Sequence, residues 1–286
     1  MKHYFCGWYF KCQSDHNTLA VIAAFHKSRE GKSCSVQLIT DEGVWNIPYT
    51  RECLKYLVSS RNALSAAIGS NLFCSKGVKL HLHTEGLDAD GTLYFGPFTP
   101  IRYDIMGPFR YVPFMECRHS VFSMRHLVNG TVKVNGKDYI FKDGLGYMEG
   151  DRGHSFPREY AWTQCFFKGG SLMLSVADIP LGRYRFTGII GFILLHGHEY
   201  RIATYLGARA LKIKNGEIVI RQGSIRFCAV LLEKNAQPLY APAQGAMTRT
   251  IRESPSCRAS YQFTKKGRTL LSIESPAASF EYEYSR

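Results

Sequence analysis

The chain lacks the marks of several large functional classes. Its nine cysteines include no Cys-x-x-Cys pair, which argues against a zinc ribbon or a disulfide framework and for a reducing compartment. There is no Gly-x-Ser-x-Gly elbow, phosphate-binding loop or dinucleotide fingerprint. The longest apolar run, Phe186 to Leu195, is interrupted by Gly188 and Gly191 and falls well short of the ~20 residues that a membrane helix needs. Basic residues outnumber acidic ones, 36 to 23, for a net charge of +13. Yet no basic block is longer than Lys265-Lys266-Gly267-Arg268, and no arginine-rich arm or helix-turn-helix pattern is present. Nucleic acid is therefore not expected as a partner; a solvated basic surface or contact with an anionic membrane is. No charged-then-apolar leader opens the sequence, so the expected location is cytoplasmic, with peripheral membrane contact.

What is present is β pattern. With 286 residues, 45% of them hydrophobic and 13% aromatic, the chain can build a substantial core. Leu172, Leu174 and Val176 alternate with Met173 and Ser175, and Ala259, Tyr261 and Phe263 alternate with polar residues. Turn signals recur at Asn129-Gly130, Asn135-Gly136, Lys168-Gly169-Gly170, Asn215-Gly216 and Lys266-Gly267, as in hairpins. The first two predict successive turns around a short strand, 131–134. Residues 50–60 form the one helical candidate, a weak one. A hairpin signal in Gly7 to Ile22 returns in Ala161 to Val176, so the chain reads as two β domains, residues 1–155 and 156–286.

The richest segment is Gly144 to Cys165. If 146–151 is extended, Tyr147, Glu149 and Asp151 share one face; if 160–166 is extended, Tyr160, Trp162, Gln164 and Phe166 share another. Gly153-His154-Ser155-Phe156-Pro157 between them is a natural corner. Acids placed against aromatics and an amide suit protonation of an apolar molecule. Asp151 and Glu149 are the candidate acids, since burial keeps a carboxyl protonated; the plainer reading is a salt bridge to Arg152 or Arg158. His154 is a candidate proton relay or a hydrogen-bonding corner. Trp162 and Tyr160 offer π faces to a cation or pack in a core, and Gln164, if buried, needs partners.

A second polar cluster holds Glu116, Arg118, His119, Arg125 and His126. Strand alternation puts His119 and Arg125 on one face and Arg118 and His126 on the other, and buried charges there should pair, with Glu149 or Asp151 as partners. His81 and His83 alternate as a metal pair would, but no third ligand lies nearby in sequence, and no metal site is assigned.

These blocks carry a resemblance. Gly146-Tyr147-Met148-Glu149-Gly150-Asp151-Arg152-Gly153-His154-Ser155-Phe156-Pro157, followed by Tyr160-Ala161-Trp162-Thr163-Gln164, resembles the signature of the tocopherol cyclase family. Gly7-Trp8-Tyr9-Phe10-Lys11, Ile68 to Phe73, Met106-Gly107-Pro108-Phe109, Met115 to His119, Ala203-Thr204-Tyr205 and Ala278 to Tyr282 look like further family blocks in the same order. The chain looks like a bacterial-type member, related to hydratases of the hydroxyneurosporene synthase type. The resemblance implies an all-β fold of two tandem lipocalin-like antiparallel β-barrels with little helix. It also implies cofactor-free, acid-catalysed closure of a prenylated hydroquinone to a chromanol. By that resemblance Asp151, Glu149 and His154 would be catalytic, and Tyr147, Tyr160, Trp162, Gln164, His119 and Arg118 would line a site for a hydrophobic ligand. The competing reading is a lipocalin-like carrier of an isoprenoid or lipid, without chemistry. Many relatives carry tryptophan where this chain has Arg152; alternation puts Arg152 opposite Asp151 if the strand runs that far.

Overall fold

The computed structural model describes residues 3–59, 64–113, 115–181, 183–233 and 237–284. The alternating segments become strands: β1 (Tyr4–Gln13), β2 (Thr18–Ser28), β3 (Gly31–Thr40), β4 (Val44–Thr50), β5 (Leu54–Ser59), β6 (Leu64–Ile68), β7 (Asn71–Cys74), β8 (Gly77–Thr84), β9 (Leu87–Phe95), β10 (Cys117–Val134) and β11 (Lys137–Gly153). They form one sheet in the order β4-β3-β2-β1-β11-β10-β9-β8-β7-β6-β5. The later strands are β12 (Tyr160–Phe167), β13 (Gly170–Leu181), β14 (Tyr184–Leu195), β15 (His198–Ala203), β16 (Arg209–Lys214), β17 (Glu217–Gln222), β18 (Ile225–Leu231), β19 (Gln237–Ala243), β20 (Ala246–Lys265) and β21 (Arg268–Tyr282). Their sheet runs β15-β14-β13-β12-β21-β20-β18-β17-β16, with β19 on β20.

The fold is all-β. Among the described residues the helical pieces are three short 3-10 turns, Arg51–Cys53, Gly107–Tyr111 and Thr204–Leu206. The helical candidate at 50–60 is corrected over its described part: the turn at Arg51–Cys53 leads into β5, whose Leu54 to Ser59 pair with β6. Cross-strand pairing outweighs a weak local preference. No described helix is long and apolar enough to cross a membrane. In both sheets the opening strand pairs with its hairpin neighbour on one side and with a much later strand on the other, β1 with β11 and β12 with β21. Among the described residues β4 and β5 lie at the ends of one sheet and β15 and β16 at the ends of the other. Hydrogen bonding thus gives two extended antiparallel sheets, and closure into two barrels is a finer expectation than these ladders carry.

The chain divides into two compact units. The first comprises Met1–Arg102, Cys117–Ser155 and Tyr240–Arg249, and the second Tyr103–Glu116, Phe156–Leu239 and Thr250–Arg286. The first is built on Trp8, Phe10, Val21, Val36, Leu38, Phe73, Leu80 and Met148. The second core includes Leu172, Leu174, Val176, Phe227, Tyr261, Phe263 and Phe280, as the period-two pattern requires. Each such side chain fully buried contributes roughly 1.5–3 kcal/mol. Among the described residues no two cysteines form a disulfide.

Asn135-Gly136 is a turn, with φ of 49° and 88°, the signature of a two-residue hairpin loop. Asn129-Gly130 is not. It lies inside β10, at a register shift between Val128 and Gly130, because β10 continues straight through to pair with both β9 and β11. Two further shifts, between Val121 and Ser123 and between Ser123 and His126, break the strict alternation expected of this segment.

Candidate functional site

In the first unit, β11 shows two chemically different faces. Met148 packs into the apolar core with Trp8 and Phe10, so Tyr147, Glu149 and Asp151 project from the other side of the sheet. The register places Lys11, Tyr9 and Gly7 of β1 beside them in turn, and on β10 His119 stands opposite Asp151 and Val121 opposite Glu149. Tyr147, Lys11, Glu149 and His119 are all buried.

His119 links the two acids. Its Nδ1 lies 3.0 Å from Asp151 Oδ1, and its Nε2 lies 3.1 Å from Glu149 Oε2, an ion-pair contact with a bent N–H direction. The Tyr147 hydroxyl donates to Glu149 Oε2 at 2.5 Å, and the Cys117 thiol to Asp151 Oδ1 at 3.3 Å. Burial, the largest single influence on the imidazole, works against its charge. The charges of Glu149 and Asp151 and their hydrogen bonds together outweigh it and hold His119 well above the ordinary histidine range. Burial, reinforced by the Glu149 charge, pushes the Tyr147 phenol up, so it stays a donor. Asp151 is the member most open to solvent, its side chain 20% exposed against 8% for Glu149. The cluster is thus a buried imidazole between two acids, of which Asp151 is the more open to solvent. One imidazole and two carboxylates so close could also share a divalent cation.

Arg118 and Arg152 face each other across the β10–β11 ladder on the side away from Asp151. Arg152 is exposed, and β11 does run as far as Gly153. His154 follows β11, and its backbone carbonyl accepts the Gly245 N–H at 2.7 Å; Ser155 Oγ accepts the Gln244 N–H at 2.8 Å. Those contacts fix the corner through the His154 backbone and the Ser155 side chain.

Tyr160, Trp162 and Gln164 belong to the second unit. Ala161 and Cys165 of β12 enter that unit's apolar core, so these three occupy the reverse face. The Tyr160 hydroxyl donates to Glu281 Oε2 at 2.5 Å. Gln164 is completely buried, and neither its amide nitrogen nor its oxygen has a partner. Across the sheet from it stand Met173, Phe192 and Arg201 in one row. Arg201 donates to the backbone oxygen of Tyr103 at 2.5 Å, and its guanidinium lies 3.4 Å from the Tyr103 ring centroid.

The sequence reading missed Arg201, Lys11 and Tyr9. The available signal was polar residues at the alternate positions of apolar strands, Gly7-Tyr9-Lys11 in one case. His126 is buried in the other sense: opposite Gly146, between the rings of Phe95 and Phe98, each 4.7 Å away by centroid. A Cβ on residue 146 would run into that ring. Burial pushes His126 down to about 4.

No family model matches the chain, and no curated protein matches it. Among solved structures, the crystal structure of a protein assigned as AttH from Nitrosomonas europaea is similar with a TM-score of 0.54. The match spans 98% of this chain and 93% of that one at 12% identity. At that identity the likeness reaches the fold and stops there. The chain thus shares the general fold of that AttH structure.

Proposed function

We propose that the chain is a cofactor-free, isomerase-type enzyme with tocopherol-cyclase-like chemistry, closing a prenylated hydroquinone or related isoprenoid to a chromanol. The observation that supports this most is the imidazolium of His119 held between Glu149 and Asp151, with Tyr147 anchoring Glu149. In the proposed reaction Asp151 passes the proton held by His119 to one carbon of the prenyl double bond, which leaves the imidazole neutral. The phenol oxygen then bonds to the cationic carbon and releases its own proton through Asp151 to His119, which restores the imidazolium. Substrate and product are isomers, so no redox partner enters. A positioned acid contributes roughly 10²–10⁴-fold; exclusion of water and folding of the prenyl chain over the phenol supply more.

The same proposal takes the two sheets as lipocalin-like and the ligand as apolar, met at an anionic membrane by a cytoplasmic protein of net charge +13. The proposal gives His154 and Arg118 no step in the reaction. The second reading is a carrier, favoured by one observation: the unpartnered buried amide of Gln164 suits ligand recognition without requiring chemistry.

The deciding experiment incubates the protein with prenylhydroquinones of several chain lengths and separates the products by chromatography. Chromanol from the wild type and none from Asp151→Asn, with binding retained, is the expected result. Binding without product from every substrate would transfer the assignment to the carrier.

A further inference from the structure

The β8–β9 hairpin of the first unit carries a second histidine–carboxylate group that the chemistry above does not use. On β8, Val78, Leu80 and Leu82 are buried while His81 and His83 point outward; on β9, Leu87 and Ala89 are buried while Asp88 and Asp90 point outward. The register sets His81 opposite Asp90 and His83 opposite Asp88. Position is fixed from beneath: Asn71 Oδ1 accepts the His81 backbone N–H at 2.8 Å, while the Asn71 amide donates to Tyr49 and to the Ile68 carbonyl.

Four contacts converge there. His81 Nδ1 lies 2.6 Å from Asp90 Oδ1, and His83 Nε2 lies 2.8 Å from Asp90 Oδ2. The same two nitrogens are 3.1 Å from each other. On the far side of its ring, His83 Nδ1 lies 2.6 Å from Asp88 Oδ1. Two imidazole nitrogens and a carboxylate thus crowd around one point, where lone pairs of all three groups can converge on a single positive charge.

We propose that this hairpin binds a first-row divalent cation of the zinc type through His81 Nδ1, His83 Nε2 and the Asp90 carboxylate. Asp88 is the positioning residue. Its carboxylate, 2.6 Å from His83 Nδ1, favours the proton on that nitrogen and so leaves Nε2 free, the usual outer partner of a metal-bound imidazole. Zinc bonds of about 2.0–2.1 Å put neighbouring ligand atoms about 3.3 Å apart, so these exposed side chains need only spread slightly. Two imidazoles and one carboxylate suit zinc, nickel or copper better than magnesium or calcium. Exposure leaves the remaining coordination positions to water. Of the nearby cations, Lys133 sits opposite Asp90 on β10 but turns its ammonium to Asp138, 3.8 Å away, and Lys79 lies one step further along β8.

The test is calorimetric titration of the chelator-treated full chain with zinc chloride, beside the paired variant His81→Ala/His83→Ala and the single variant Asp88→Asn. Glu149→Gln serves as the control for the other histidine–carboxylate cluster. One zinc per chain is expected, lost in the paired variant, roughly 10–100-fold weaker in Asp88→Asn and unchanged in Glu149→Gln. Replacing zinc with cobalt should give a visible absorption band that disappears in the paired variant. The four hairpin residues are exposed, so unchanged far-ultraviolet dichroism will confirm that the variants fold. No zinc uptake by the wild type would overturn the assignment. So would uptake that survives His81→Ala/His83→Ala or disappears in Glu149→Gln.

Discussion

His119 of β10 and Asp151 of β11 are direct cross-strand partners, and their facing side chains form a 3.0 Å ion pair on the side of the sheet away from the apolar core. Because Glu149 occupies the other ring nitrogen, the imidazole is the one cation between two acids.

Removing that cation is expected to be costly. His119→Gln leaves Glu149 and Asp151 close together and largely desolvated, and loss of one member of a buried pair typically costs about 3–5 kcal/mol. Chemical denaturation at neutral pH measures it. The sign with pH follows from the raised value of His119: its contribution is fully present below the ordinary histidine range and is lost as pH rises through its elevated folded value. The variant should therefore lose the wild type's alkaline decline in stability. A decline of equal size in both proteins would assign it to other groups.

Acid should destabilise the protein by a different route. Burial pushes both His26 and His126 down to about 4. The unfolded chain takes up these protons first, so stability falls as pH drops from about 6.5 towards 4 and levels off below, by on the order of 3 kcal/mol for each group. His126→Leu should flatten that part of the profile by about half. A profile unchanged by the variant would show that other groups set it.

Gln164→Leu separates stability from recognition. Both ends of the wild-type amide are buried without partners, which costs roughly 1–3 kcal/mol. A leucine of similar size should leave the melting temperature unchanged or raise it, while weakening retention of an apolar ligand that has a polar head. A drop in both would mean that the amide is held by a water.

Gly91 in β9 has φ of +154°, and a Cβ there would overlap the Thr131 carbonyl oxygen of the paired strand. Gly91→Ala is expected to lower stability by about 1–3 kcal/mol. Urea denaturation gives the value, and a loss near zero would mean that β9 and β10 can part locally.

Much of this architecture is legible in the residues. Period-two patterning identified strands such as β13 and the late part of β20, because each side chain's fate follows from the side of the sheet it occupies. The same rule put Tyr147, Glu149 and Asp151 on one face and Arg152 on the other. It failed between Val121 and His126, where register shifts change the face of the strand and no local residue preference marks them. Asn129-Gly130 misled for a related reason: the pair that makes a tight turn also tolerates a bulge. The third group of the hairpin, Asp90, is no near sequence neighbour of His81 and comes beside it only across the ladder. Folding the chain back at Glu85-Gly86 mirrors His-x-His onto Asp-x-Asp, a symmetry readable once the turn is placed.

The pairing of β1 with β11 sets a timetable for biogenesis. Phe5 waits for Gly153, and Tyr9 for Glu149, so the first sheet stays incomplete until its last strand has been made. At roughly 5–20 residues per second, the β1 edge stays unpaired on that side for about 7–30 seconds of synthesis. Such distant contacts also slow refolding, since the entropy of closing a long loop is spent before any ladder forms. An exposed edge rich in Trp8, Tyr9 and Phe10 is where nascent chains would stick to one another, and where a holding chaperone would act.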